Sequence, residues 1–173
     1  MKKINFELID LEAEPYEVLA KMRRHHDELA DANIALAWQK NVKPDKDGHL
    51  VLGKCIKATD LQKEFMIYDF VILLNQMVWE DLEFTMDQKS ALMDHELCHA
   101  APSEDDEGAQ KCDERQRRVW RTRKHDIEEF QAVVARHGCY KRDLERFAEA
   151  LAKKRKTPLF NTPSKEIDGA RLQ

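Results

Sequence analysis

No run of about 18 consecutive apolar residues, the length a membrane-spanning helix requires, occurs in this chain. The opening segment, Met1 to Asp10, carries two lysines but no long apolar core. It turns acidic at once, so a secretory leader is not expected. C-x-x-C pairs are missing too: the four cysteines, at 55, 98, 112 and 139, are dispersed, and reduced cytoplasmic thiols are the default expectation. There is no excess of positive charge. The net charge of −4 gives no overall pull towards nucleic acid. Internal repeats are absent as well. What is present is 173 residues, 36% charged and 42% hydrophobic, which suits one polar-faced domain with a sizeable core.

The densest chemical signal is His95-Glu96-Leu97-Cys98-His99. On a helix, positions i and i+4 share a face, so His95 and His99 can aim two imidazoles at one point. Two neutral imidazoles suit a zinc ion, and Glu96 lies where it can reach a water on such a metal. Metal-assisted hydrolysis uses that set: the ion acidifies and orients water, and the carboxylate takes its proton. The motif fixes only three positions, so its surroundings carry weight. Thr85-Met-Asp-Gln88 has the form of a capping box, and Asp87 suits the start of a helix dipole. Ala91, Leu92 and Cys98 supply a face to bury, and Pro102 limits the helix, predicted over 85–100. Cys98 is expected to pack in the core rather than ligate. Upstream, Asp69-Phe-Val-Ile-Leu-Leu-Asn75 reads as a buried strand. Such a strand leading into a metal helix fits a layout in which an edge strand receives an extended peptide, and equally a core strand and nothing more.

The rest reads more coarsely. A helix is predicted over 15–31, with Pro15 in its first turn, and His25 and His26 on it are expected to be solvated. Strands are predicted at 34–39 and 50–58, joined as a hairpin through the turn at 43–48. Residues 102–113 read as a mobile polar loop. Residues 115–123 read as a strand with Val119 and Trp120 inward. Its arginines could contact phosphates, but a solvated strand is the favoured reading. Asp126-x-x-Glu129 has capping-box form, predicting a helix from Asp126 to His137 that Gly138 stops and that buries Ile127, Phe130, Val133 and Val134. A last helix is predicted over 142–155, and a poorly ordered tail from Lys156.

His95-Glu-Leu-Cys-His-Ala100, the preceding Tyr68-Asp-Phe-Val-Ile72 and Val78-Trp-Glu80, and the later His125-Asp-Ile-Glu-Glu-Phe130 together resemble the putative phage metallopeptidase family, over roughly residues 30–140. These are small zincin-like proteins of phages and prophages. The layout is also similar to that of compact intracellular zincins of the SprT-like kind. The resemblance implies an α+β fold: a small mixed or antiparallel sheet packed against helices that include the metal helix. It implies a single zincin-like domain over 1–155, in the cytoplasm of a bacterial host cell. A catalytic zinc keeps three protein ligands. With His95 and His99 placed, the third is expected from the 125–130 segment: His125 just ahead of a helix, or Glu129 on it. The function expected is zinc-dependent peptide-bond hydrolysis, with a protein or peptide as substrate, Zn2+ as cofactor and Glu96 as the catalytic base. A zinc hydrolase of a non-peptide amide is a rival. The reading outside enzymes is a phage accessory protein that binds a host or DNA-associated partner and keeps a structural or vestigial zinc site.

Overall fold

The computed structural model describes residues 5–153. The residues predicted as a tail from Lys156 lie outside that range. Contacts divide the chain into two compact units, one ending at His125 and the other beginning at Asp126.

The first unit is built on a four-stranded sheet. Strand β1 (Phe6–Leu8) precedes helix α1 (Glu14–Arg23). Strands β2 (Ile34–Gln39), β3 (Gly53–Lys57) and β4 (Phe70–Asn75) come next in the chain, and the order across the sheet is β1-β2-β4-β3. Strand 34–39 matches the sequence reading, but the hairpin expected between β2 and β3 does not form. β4 lies between them, parallel to β2 (Leu36 opposite Ile72) and antiparallel to β3 (Cys55 opposite Ile72). Burial explains this. β4 is apolar along its length, and Phe70, Ile72 and Leu74 are fully buried, so it needs neighbours on both edges. β3 alternates between half-buried and exposed positions and suits the rim. Asp69 pins the entry to β4: its carboxylate accepts from the Asn33 N–H at 2.9 Å and pairs with Lys63 Nζ at 2.6 Å.

α1 is shorter than the predicted 15–31 helix. It buries Pro15, Val18, Leu19 and Met22, then stops, and the Arg23 guanidinium donates to the carbonyls of Leu29, Ala30 and Ala32. That bond set gathers the chain into a single 3-10 turn at 27–29 rather than more helix. His26 is therefore not on a helix, nor solvated. It is 5% exposed and bonded to Asp94.

After β4 come the short helix α2 (Gln76–Trp79) and the metal-motif helix α3 (Met86–Cys98). The capping box forms as read. Gln88 Oε1 accepts from the Thr85 N–H at 2.7 Å, and Thr85 Oγ1 accepts from the Gln88 N–H at 3.3 Å. The buried face differs from the expectation, however. Met93 and Leu97 are fully buried, whereas Ala91 and Cys98 are exposed, so Cys98 does not pack in the core. Strand β5 (Ala100–Pro102) then pairs with β6 (Trp120–Thr122). Trp120 is buried edge-on against Phe70, ring centroids 5.8 Å apart, while Val119 is half-buried.

Residues 103–119 are neither the mobile loop expected over 102–113 nor the first part of the strand expected over 115–123, which is confined to β6. They fold as two tight hairpins, each closed by an aspartate. Asp105 Oδ1 accepts from the N–H groups of Glu107 and Ala109, and Asp113 Oδ1 from those of Arg115 and Arg117. Asp45 closes the same turn in the β2–β3 connection. Side-chain acceptance of local backbone donors is what makes Asp a turn former. The fourth residue of each turn has positive φ: Gly48 at 85°, Gly108 at 84°, and Gln116 at 60°, where a glycine would carry no steric penalty. The arginines read as part of a strand are engaged within the protein. Arg115 pairs with Glu64, Arg117 with Asp113 and Glu64, and Arg118 with Asp31.

The second unit holds helices α4 (Gln131–His137) and α5 (Arg142–Lys153). α4 starts five residues later than predicted, with Phe130 rather than Asp126 at its N-cap, and it ends at Gly138 (φ 66°) as expected. The predicted buried stripe is absent. Phe130 is 78% exposed, and Val133 and Val134 are half-buried. Leu144 is the buried residue of α5, whereas Phe147 and Leu151 are exposed.

Candidate metal centre

The capped start of α3 fixes its helical phase, and that phase places His95 and His99 one turn apart on the same face. His99 Nε2 lies 3.3 Å from His95 Nε2. The third histidine arrives through sheet register. The β5–β6 pairing sets Ala100 opposite Thr122, so the Arg123 N–H donates to the His99 carbonyl at 2.8 Å. Two residues on, His125 Nε2 lies 3.2 Å from His95 Nε2. One nitrogen from each of the three rings falls within 4.8 Å of the others. A tetrahedral ion with metal–nitrogen bonds of about 2.0–2.1 Å holds its ligand nitrogens about 3.3 Å apart. The two separations measured at His95 match that value, so the donor set fits a zinc-like cation.

The surroundings of two of these rings suit metal binding. His99 Nδ1 is 2.8 Å from the Arg123 carbonyl, which can only accept, so in the neutral ring Nδ1 carries the proton and the lone pair is on Nε2. Arg123 Nε also donates to the Cys98 carbonyl at 2.8 Å, clamping the end of α3. Burial, and then the neighbouring imidazoles of His99 and His125, push the pKa of His95 down and favour its neutral ring.

Glu96 lies one residue on and faces the sheet. Only 3% of it is exposed, and its Oε2 is buried with no hydrogen-bond partner. Burial pushes its carboxyl pKa up, against the opposing pull of His99 and of the Cys55 N–H. An orphaned carboxylate oxygen in such a place is costly unless a donor such as water comes to it. The edge strand makes room for the side chain. A Cβ on Gly53 would stand 2.6 Å from Glu96 Oε1, so this position takes no larger residue without moving the carboxylate. Cys55 beside it is no nucleophile: burial, reinforced by Glu96, pushes its thiol up to about 12.

The profile of the putative phage metallopeptidase family matches residues 8–152. The chain belongs to that family. No curated protein and no solved structure matches it. A metallopeptidase family implies a metal ion and a protein or peptide substrate, and the match covers both the histidine cluster and the edge strand. Among the described residues no helix is long and apolar enough to cross a membrane.

Glu129, the alternative ligand, is taken up within the second unit. Its carboxylate accepts from the Tyr140 hydroxyl and the Phe130 N–H and pairs with Lys141 Nζ at 2.8 Å. The hydrogen bonds from Lys141 and Tyr140 hold its pKa at about 2. The Arg123 carbonyl, the Gly53 cradle and the Cys55 N–H went unread in the sequence. Each acts through backbone groups or through the lack of a side chain, and neither leaves a spacing signature.

Proposed function

We propose that this member of the family is a zinc metallopeptidase, with His95, His99 and His125 as the ion's ligands and Glu96 as general base. The observation that carries the reading is the convergence of three imidazole nitrogens next to a buried carboxylate with one unsatisfied oxygen. A zinc ion held there would supply Lewis acidity, polarising the scissile carbonyl and making a water easier to deprotonate. Glu96 would take the proton from that water and return it to the leaving amine nitrogen, and its raised pKa suits both halves of the transfer. Gly53 and the Cys55 N–H would hold the carboxylate in place during the exchange. β3, at the rim of the sheet, would present backbone groups to an extended peptide by strand addition.

Replacing Glu96 by Gln keeps the side chain's size and removes the base. The expected outcome is unchanged metal content and a loss of proteolysis of an unstructured protein such as casein by about 100-fold or more. Unchanged function in the variant would favour an accessory binding protein with a structural ion.

A further inference from the structure

α3 carries a second pair of ligand-type side chains, one residue out of step with the first. Asp94 and Cys98 are also i and i+4, so they share the face next to that of His95 and His99. Into this face comes His26, from the segment that leaves α1 just before the 3-10 turn at 27–29. Its ring is 5% exposed, and its Nε2 lies 2.7 Å from Asp94 Oδ1. One ligand atom from each of His26, Asp94 and Cys98 falls within 4.8 Å of the other two.

We propose that His26, Asp94 and Cys98 form a second binding site for a zinc-like divalent cation, separate from the three-histidine centre. The donors are a thiol, an imidazole and a carboxylate. That mixed sulfur, nitrogen and oxygen set suits borderline-soft ions such as zinc and cobalt and is poor for magnesium or calcium. Tetrahedral bonds of about 2.0–2.3 Å set ligand atoms roughly 3.3–3.8 Å apart. The ligand atoms lie within 4.8 Å of one another, so Asp94, which is half-exposed, and Cys98, which is exposed, would have to draw towards the ion. The buried imidazole supplies the fixed point. Three protein ligands would leave a fourth position for water. Every ligand atom comes from the first unit. The site does not depend on the peptidase reading, because it shares no ligand with the first centre.

Cobalt loading of the full-length chain separates the two centres. The first centre offers nitrogen only, so an intense near-ultraviolet thiolate-to-cobalt charge-transfer band reports the second alone. The expected result is that the wild type takes up a second equivalent of cobalt and shows the band. Cys98→Ser abolishes the band and loses one equivalent, and Asp94→Asn weakens its cobalt affinity. A His95→Ala/His99→Ala variant loses one equivalent but keeps the band. Circular dichroism checks that each variant is folded. No band in the wild type would overturn the proposal and leave His26–Asp94 as a hydrogen-bonded tether. A band that survives Cys98→Ser, or one that disappears in the double-histidine variant, would overturn it equally.

Discussion

Two segments of this chain carry nearly the same helix-start signature, and only one obeys it. Thr85-x-x-Gln88 closes a reciprocal capping box and begins α3. Asp126-x-x-Glu129 does not: the helix waits until Gln131, and Glu129 turns to Tyr140 and Lys141 instead. The difference lies in the residues beyond the cap. α3 sets Met93 and Leu97 into the core of the first unit, whereas α4 buries no residue fully. A cap contributes about 1 kcal/mol, but burying a leucine side chain contributes roughly 1.5–3 kcal/mol. Local signatures are therefore honoured where tertiary packing supports them and give way to other hydrogen bonds where it does not.

The contrast can be broken from either side. The largest effect is expected from Leu97→Ala, which opens a cavity under the metal helix and costs about 3 kcal/mol in urea denaturation of the first unit. Its counterpart, Phe130→Ala beside α4, should change stability by no more than about 0.5 kcal/mol, because the ring is already in solvent. Equal losses would show that α4 is buried after all. Next come the caps themselves. Thr85→Ala should cost about 1 kcal/mol, and Asp126→Ala close to nothing, by the same measurement without added metal. The smallest effect concerns pH. Glu129 has a folded pKa of about 2 against an ordinary value of 4.5, so its ionised form favours the folded second unit. That contribution is fully present above pH 4.5 and disappears as pH falls towards 2. Carbon NMR titration of the Glu129 carboxyl should show the depressed midpoint, and Lys141→Met should return it towards 4.5. A midpoint near 4.5 in the wild type would remove the Lys141 pairing from the account.

The same division governs how much of the molecule was legible in the sequence. Strand 34–39, the Thr85 cap, the shared face of His95 and His99 and the inward Trp120 depend on neighbours along the chain, and periodicity exposed them. The α+β class was implied by the family resemblance. The insertion of β4 between β2 and β3, the burial of His26 against Asp94 and the clamp of Arg123 on His99 are partnerships between residues far apart in the chain. Nothing local marks them. β1 was missed because three exposed residues carry no alternation strong enough to read. The hairpins at 103–119 hid behind a polar composition, although their aspartates were in plain view.

Zinc affinity decides whether the three imidazoles converge on one cation. Competition against a chromophoric chelator, in a Cys98→Ser background that silences the neighbouring cluster, would compare the histidine set with its His125→Ala variant. Loss of one of three ligands predicts affinity lower by about 100-fold or more, since even outer-shell partners of a metal are worth roughly 10- to 100-fold. Zinc held as tightly without the His125 imidazole as with it would contradict the account.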